Sequence, residues 1–64
     1  MTGEEFLEIG SKLRMRQIEI EARLFRLTRQ GKAPGDSEFD RLSENLAAVS
    51  EQVAAHMERY RRGL

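Results

Sequence analysis

The chain contains no cysteine. That excludes disulfide staples, thiolate metal sites and cysteine nucleophiles, and it fits a reducing compartment. Charge of one sign is missing as well: 11 basic residues balance 11 acidic ones. An unbalanced charge is the usual footprint of a general nucleic-acid or anionic-membrane binder, so neither is the first expectation. No apolar run approaches the roughly 20 residues of a membrane span. The opening Met-Thr-Gly-Glu-Glu has neither the basic nor the apolar region of a signal peptide. A cytoplasmic location is therefore expected. Tryptophan is absent, and there is one proline and one histidine. At 64 residues the chain is short, and domains of this size bury only about 60% of their unfolded surface. With disulfides excluded, association with another chain is the expected source of added stability.

What is present is mostly helix-forming: Leu, Glu, Arg, Ala, Gln and Met. The exception is QGKAPGDS, residues 30–37, where Gly31, Pro34 and Gly35 read as a helix stop and a turn, and Asp36 or Ser37 can cap a second helix. Thr2 with Glu5 forms a capping-box pattern at the start, and Met1 and Phe6 occupy the positions of a hydrophobic staple. The chain is thus expected to be one all-α domain over 1–64, an antiparallel hairpin of helix 1 at about 3–30, a loop at 31–36 and helix 2 at about 37–62. Acidic residues open each helix (Glu4, Glu5 and Glu8; Asp36, Glu38 and Asp40) and arginines close each one (Arg23, Arg26 and Arg29; Arg59, Arg61 and Arg62). This complements both helix dipoles and sets acidic ends beside basic ends in a hairpin. Gly10 inside helix 1 costs about 1 kcal/mol relative to Ala and is expected to be tolerated.

The stretch RQIEIEARLF, residues 16–25, separates two isoleucines by one glutamate. On a strand both would face one way, whereas on a helix they lie roughly 200° apart. The rest of the pattern decides for the helix. Helix 2 carries one narrow stripe, Phe39, Leu42, Leu46, Val49, Val53, Met57 and Tyr60, with Leu64 continuing the spacing. Helix 1 carries a matching one: Phe6, Ile9, Leu13, Ile20, Leu24 and Leu27. In an antiparallel pair, facing residue numbers have a constant sum. The pairs 27/39, 24/42, 20/46, 13/53, 9/57 and 6/60 all give 66, with Gln17 opposite Val49 as the one interrupted layer.

Ile20 thus belongs to the hairpin seam, and Ile18 does not. It joins Leu7, Met15, Ala22 and Phe25 in a second stripe about 160° around helix 1. These five are the candidate partner-binding residues. A bare hairpin leaves them in water, and apolar residues gathered at helical spacing on a small protein mark an interaction surface. The small residues Ser43, Ala47, Ser50 and Ala54 of helix 2 are expected beside them, permitting close approach of another helix.

Signatures of chemistry are lacking. His56 is the only histidine and stands at the edge of the seam, where it reads as a structural residue rather than a metal ligand or general base. The sequence HMER reverses the Glu-x-x-His order of di-iron bundles, and GKAPGDS lacks the spacing of a phosphate loop. No catalytic residue, cofactor, metal or small-molecule substrate is expected. Ser50, Val53, Met57 and Tyr60 are spaced as in the small aspartyl-phosphate phosphatases of sporulation, which are also helical hairpins. Where those carry an aspartate this chain has Ala54, so that activity does not carry over.

Two further resemblances bear on function. The stretch GDSEFDRLSENLAAVSEQVAAHM, with Gly35, Asp36 and Phe39 in its loop and first turn, resembles the small helical-hairpin co-chaperones of type III secretion needle subunits. That resemblance implies docking on a larger helical-repeat chaperone, with Ile18 and Phe25 as docking residues. Lys12, Arg16, Arg23 and Arg26 share one sector of helix 1. A dimeric hairpin with such a face resembles the plasmid copy-control Rop-type bundle, which implies RNA binding. Glu8 and Glu19 in the same sector are expected to pair with Lys12 and Arg23 four residues on, a solvated salt-bridged face. The expected function is non-enzymatic: an adaptor, regulator or co-chaperone that binds through the outer stripe of helix 1. Its partner would be its own copy, giving a homodimeric four-helix bundle, or another helical protein. The alternative is the RNA-binding dimer.

Overall fold

The structure is a computed structural model in which residues 2–63 are described. It is an all-α hairpin of two antiparallel helices, α1 (Gly3–Arg29) and α2 (Ser37–Arg61). The molecule is 44 Å long and 16 × 12 Å across, one helix in length and two in width.

Each helix begins and ends where its local chemistry requires. At the start of α1 the Glu5 amide donates to Thr2 Oγ1 at 3.1 Å, satisfying one of the free N–H groups of the first turn. The staple expected between Met1 and Phe6 involves a residue outside those described, as does the continuation of the α2 stripe to Leu64. At the far end Gly31 adopts φ +85°, its amide donates to the Thr28 carbonyl, and the Lys32 amide reaches back to the Leu27 carbonyl. This paired arrangement closes the last carbonyls of a helix and needs a left-handed residue, which is why a glycine stands there. Asp36 then caps α2, its Oδ1 accepting from the Glu38 and Phe39 amides at 3.1 Å each. Lys32 bridges the loop to this start, lying 3.8 Å from Asp36 and 4.0 Å from Glu38.

The seam is a thin core between the helices. Ile20, Leu27, Leu42 and Val49 are buried, with Leu24, Phe39, Leu46 and Val53 packed half-buried against them. At one end Phe6 is buried and stacks on His56 at 4.1 Å and on Tyr60 at 4.9 Å, centroid to centroid. The expected antiparallel register therefore holds at the Phe6–Tyr60 layer.

One layer differs from expectation. Ile9 and Met57 do not face each other in the seam. They are 39% and 49% exposed, whereas His56 is 4% exposed. The position opposite His56 is taken by Gly10, where an added Cβ would stand 3.5 Å from the imidazole. Gly10 and His56 also sum to 66. The seam of α2 thus runs 39, 42, 46, 49, 53, 56, 60, an unbroken alternation of three and four, and that of α1 runs 6, 10, 13, 17, 20, 24, 27. Apolarity alone had selected the neighbours of the true seam residues at this layer, because a histidine and a glycine carry no hydrophobic signal. Gly10 is accordingly more than tolerated: a side chain longer than alanine there would meet the imidazole.

The interrupted layer is polar by construction. Gln17 is half-buried and its Nε2 donates to Ser50 Oγ across the seam at 3.2 Å, while its Oε1 accepts from Arg14 at 3.0 Å. A single hydrogen-bonded polar layer in an otherwise apolar seam favours one register over its slips. Ser50 is committed to that bond and Ser43 is half-buried. Of the small-residue row expected to receive another helix, only Ala47 and Ala54 are exposed.

Candidate interaction surface

Three features of the hairpin could carry function: the His56 corner, the basic sector of α1 and its outer apolar stripe.

The His56 imidazole is enclosed. Its Nε2 lies 2.8 Å from the Phe6 carbonyl oxygen, to which it donates, and its face lies on the Phe6 ring at an interplanar angle of 14°. A carbonyl can only accept, so the proton sits on Nε2. The side chain meets Phe6 and Gly10, and these contacts bury the ring in the end of the seam. Among the described residues no three His, Asp or Glu side chains gather into a set that could hold a metal ion, and no buried side-chain polar atom lacks a hydrogen-bond partner.

The basic sector divides into two parts. Lys12 is paired with Glu8 at 3.4 Å, as expected. The pairing expected between Glu19 and Arg23 is not formed, and among the described residues Arg16, Arg23 and Arg26 make no ion pair. Arg16 and Arg23 line an open groove beside the seam with Asn45 and Gln52 of α2, and Arg23 and Arg26 continue it past Arg41. Glu19 and Glu38 line the same groove and interrupt its positive charge.

The outer stripe lies bare. Leu7, Met15, Ile18 and Phe25 are 55 to 69% exposed, and Ala22 is exposed between them. They are the large apolar side chains that α1 turns away from the seam. Arg29 lies against one of them, its guanidinium carbon 5.8 Å from the centroid of the Phe25 ring. That is a cation–π contact at an exposed site. The corresponding back of α2 carries Glu44, Glu51 and Glu58, one every seven residues, all exposed. The two outer faces of the hairpin are therefore unlike: one apolar, one acidic.

Among the described residues, no helix is long and apolar enough to cross a membrane. Comparison with protein-family models, with curated proteins and with solved structures finds no match for this chain.

Proposed function

We propose that this protein is a non-enzymatic binding hairpin, an adaptor, regulator or co-chaperone whose working surface is the outer stripe of α1. The observation that carries this reading is the exposure of Leu7, Met15, Ile18 and Phe25 on one helix face while α2 offers that face no cover. Apolar side chains scattered singly on a surface need no explanation. Four of them on one helix, spread over about 27 Å at 1.5 Å per residue, form a line that fits a second helix. The resemblance to needle-subunit co-chaperones, if it extends to function, gives the same stripe the same task of docking on a helical partner.

The test is association. Ile18→Glu and Phe25→Glu place a carboxylate in the middle and at one end of the stripe. Each should reduce association with any partner, self or foreign, by about 100-fold, since an anchor is lost and a charge must be desolvated. Circular dichroism should show both variants as helical as the parent, because both residues are exposed and neither belongs to the buried cluster. Association that survives both substitutions would remove the stripe from function.

The open arginine groove supports a second reading, an RNA-binding dimer. It requires that the protein bind duplex RNA at low salt, that Arg16→Ala or Arg23→Ala weaken the binding, and that binding fall steeply as salt rises. A gel-shift titration with no retarded species at about 50 mM salt, where such contacts are strongest, would exclude it.

A further inference from the structure

We infer that the occupant of the outer stripe is a second copy of this chain, packed antiparallel with its two-fold axis between Arg16 and Gln17, so that the two α1 helices form the centre of a four-helix row. This rests on the reading of the stripe as an interaction surface.

The first support is the stripe's own symmetry. About that axis, facing residues of the two copies have numbers that sum to about 33 at one 1.5 Å rise per residue. Met15 then meets Ile18 of the second copy, and Ile18 meets Met15. Ser11, which lies on the same face, meets Ala22. Leu7 falls within a residue of Phe25. Large side chains oppose large ones and small oppose small, as close packing of two helices requires.

The second support is charge. In a two-fold antiparallel pair, each flank of the stripe meets the same flank of the other copy. On one flank Glu8 comes within a residue of the register position of Arg26 of the second copy. On the other flank Arg14 comes within two residues of Glu21. Glu4 at one end falls opposite Arg29 at the other. All three pairs join opposite charges, and the symmetry doubles each. Arg14, Glu21 and Arg26 make no ion pair within the hairpin. A parallel pair would instead set each flank against the opposite flank of the other copy at equal heights, so that none of these three pairs would form.

The third support is the rest of the surface. The back of α2 carries glutamates every seven residues and no large apolar side chain, so that face gives the stripe no apolar match, whereas another α1 does. The stripe and the seam lie about 150° apart around α1. In a square bundle each helix meets its neighbours at about 90°. Here the order is α2, α1, α1 of the second copy, α2 of the second copy, with the acidic backs of α2 outermost.

The experiment measures mass by light scattering across a dilution series, for the parent and for charge-exchange variants. Arg14 and Glu21 suit the exchange because both are exposed and central in α1; Arg14 also donates to Gln17 Oε1, so circular dichroism of each variant checks that the hairpin is intact. The parent should have twice the mass of the 7.4 kDa chain. Arg14→Glu alone and Glu21→Arg alone set like charges together twice per dimer and should each weaken dimerisation about tenfold. The double exchange, Arg14→Glu with Glu21→Arg, restores opposite charges at every contact and should return the dissociation constant to within about threefold of the parent. A parallel dimer would show no such restoration, and that result overturns the inference. So does a parent that stays monomeric and folded at high concentration. If such a monomer still captured a foreign helical protein and lost it on Phe25→Glu, the stripe would remain the working surface and only its occupant would change. A dimer that ignored both Ile18→Glu and Phe25→Glu would overturn the inference and the reading beneath it together.

Discussion

Ile20→Glu is expected to unfold the protein, whereas Ile18→Glu, two residues away, is expected to leave it helical. The two isoleucines share the neighbour Glu19 and take nearly opposite positions on α1. Ile20 is 9% exposed and packed in the cluster of Leu27, Leu42 and Val49. Replacing it with glutamate removes about 2–3 kcal/mol of apolar burial and sets a carboxylate against the apolar side chains of Leu42 and Val49, with the cations Arg16 and Arg23 at the rim of the groove that Ile20 also lines. The total cost of at least about 4 kcal/mol meets or exceeds what a single core supplies in a chain of this size. Far-ultraviolet circular dichroism should show α1 and α2 lost together, since neither long amphipathic helix is stable without the seam. Ile18 is 55% exposed and lies outside the buried cluster, so its replacement leaves the seam intact. Where association adds to stability, the Ile18 variant should melt lower than the parent in a concentration-dependent way, and the difference should shrink on dilution. A Ile20→Glu variant that kept the parent's helicity would mean that the seam is not what holds the helices together.

Much of this architecture can be read from residue types alone, because each signal rests on a short-range rule. The Thr2 cap, the stop at Gly31 and the Asp36 cap are local hydrogen-bond arrangements, and the residues that make them are few. Helix pairing follows from the three-and-four spacing of apolar residues and the constant sum of facing numbers. The same rule failed at Ile9 and Met57 for a definite reason. The layer there is filled by an imidazole lying over a glycine, two residues that a search for apolar side chains passes over. An uninterrupted alternation of three and four, followed regardless of residue type, leads to Gly10 and His56 directly. The Gln17–Ser50 bond was hidden in a similar way, since a polar residue at a seam position reads as a gap until its partner across the seam is seen. Glu19 and Arg23 show the opposite failure: the spacing is right for an ion pair, but the exposed side chains do not form it. The outer stripe was visible as a pattern, but the identity of what covers it depends on a second molecule, and a single sequence carries that only as symmetry and charge.

The Gly10–His56 layer predicts a reciprocal size exchange. His56→Ala should lower stability by about 2–3 kcal/mol, since it removes the stack on Phe6, the hydrogen bond to the Phe6 carbonyl and the volume that fills the layer. The carbonyl keeps its helical partner one turn on, so the loss is mainly of packing. Gly10→Ala should act in the other direction. Its Cβ would lie 3.5 Å from imidazole Cδ2 and Nε2, an ordinary contact, and alanine gains about 1 kcal/mol over glycine inside a helix. Gly10→Leu adds three carbons beyond a Cβ already in contact with the ring, and it should cost about 1–3 kcal/mol as overpacking does. Combining Gly10→Leu with His56→Ala moves the large side chain from α2 to α1 within one layer. Urea denaturation of the four variants gives the coupling directly. The double variant should be more stable than the two single effects added together by at least about 1 kcal/mol, the size expected for residues that share one space. Additive effects would place Gly10 and His56 in different layers and would return Ile9 and Met57 to the seam.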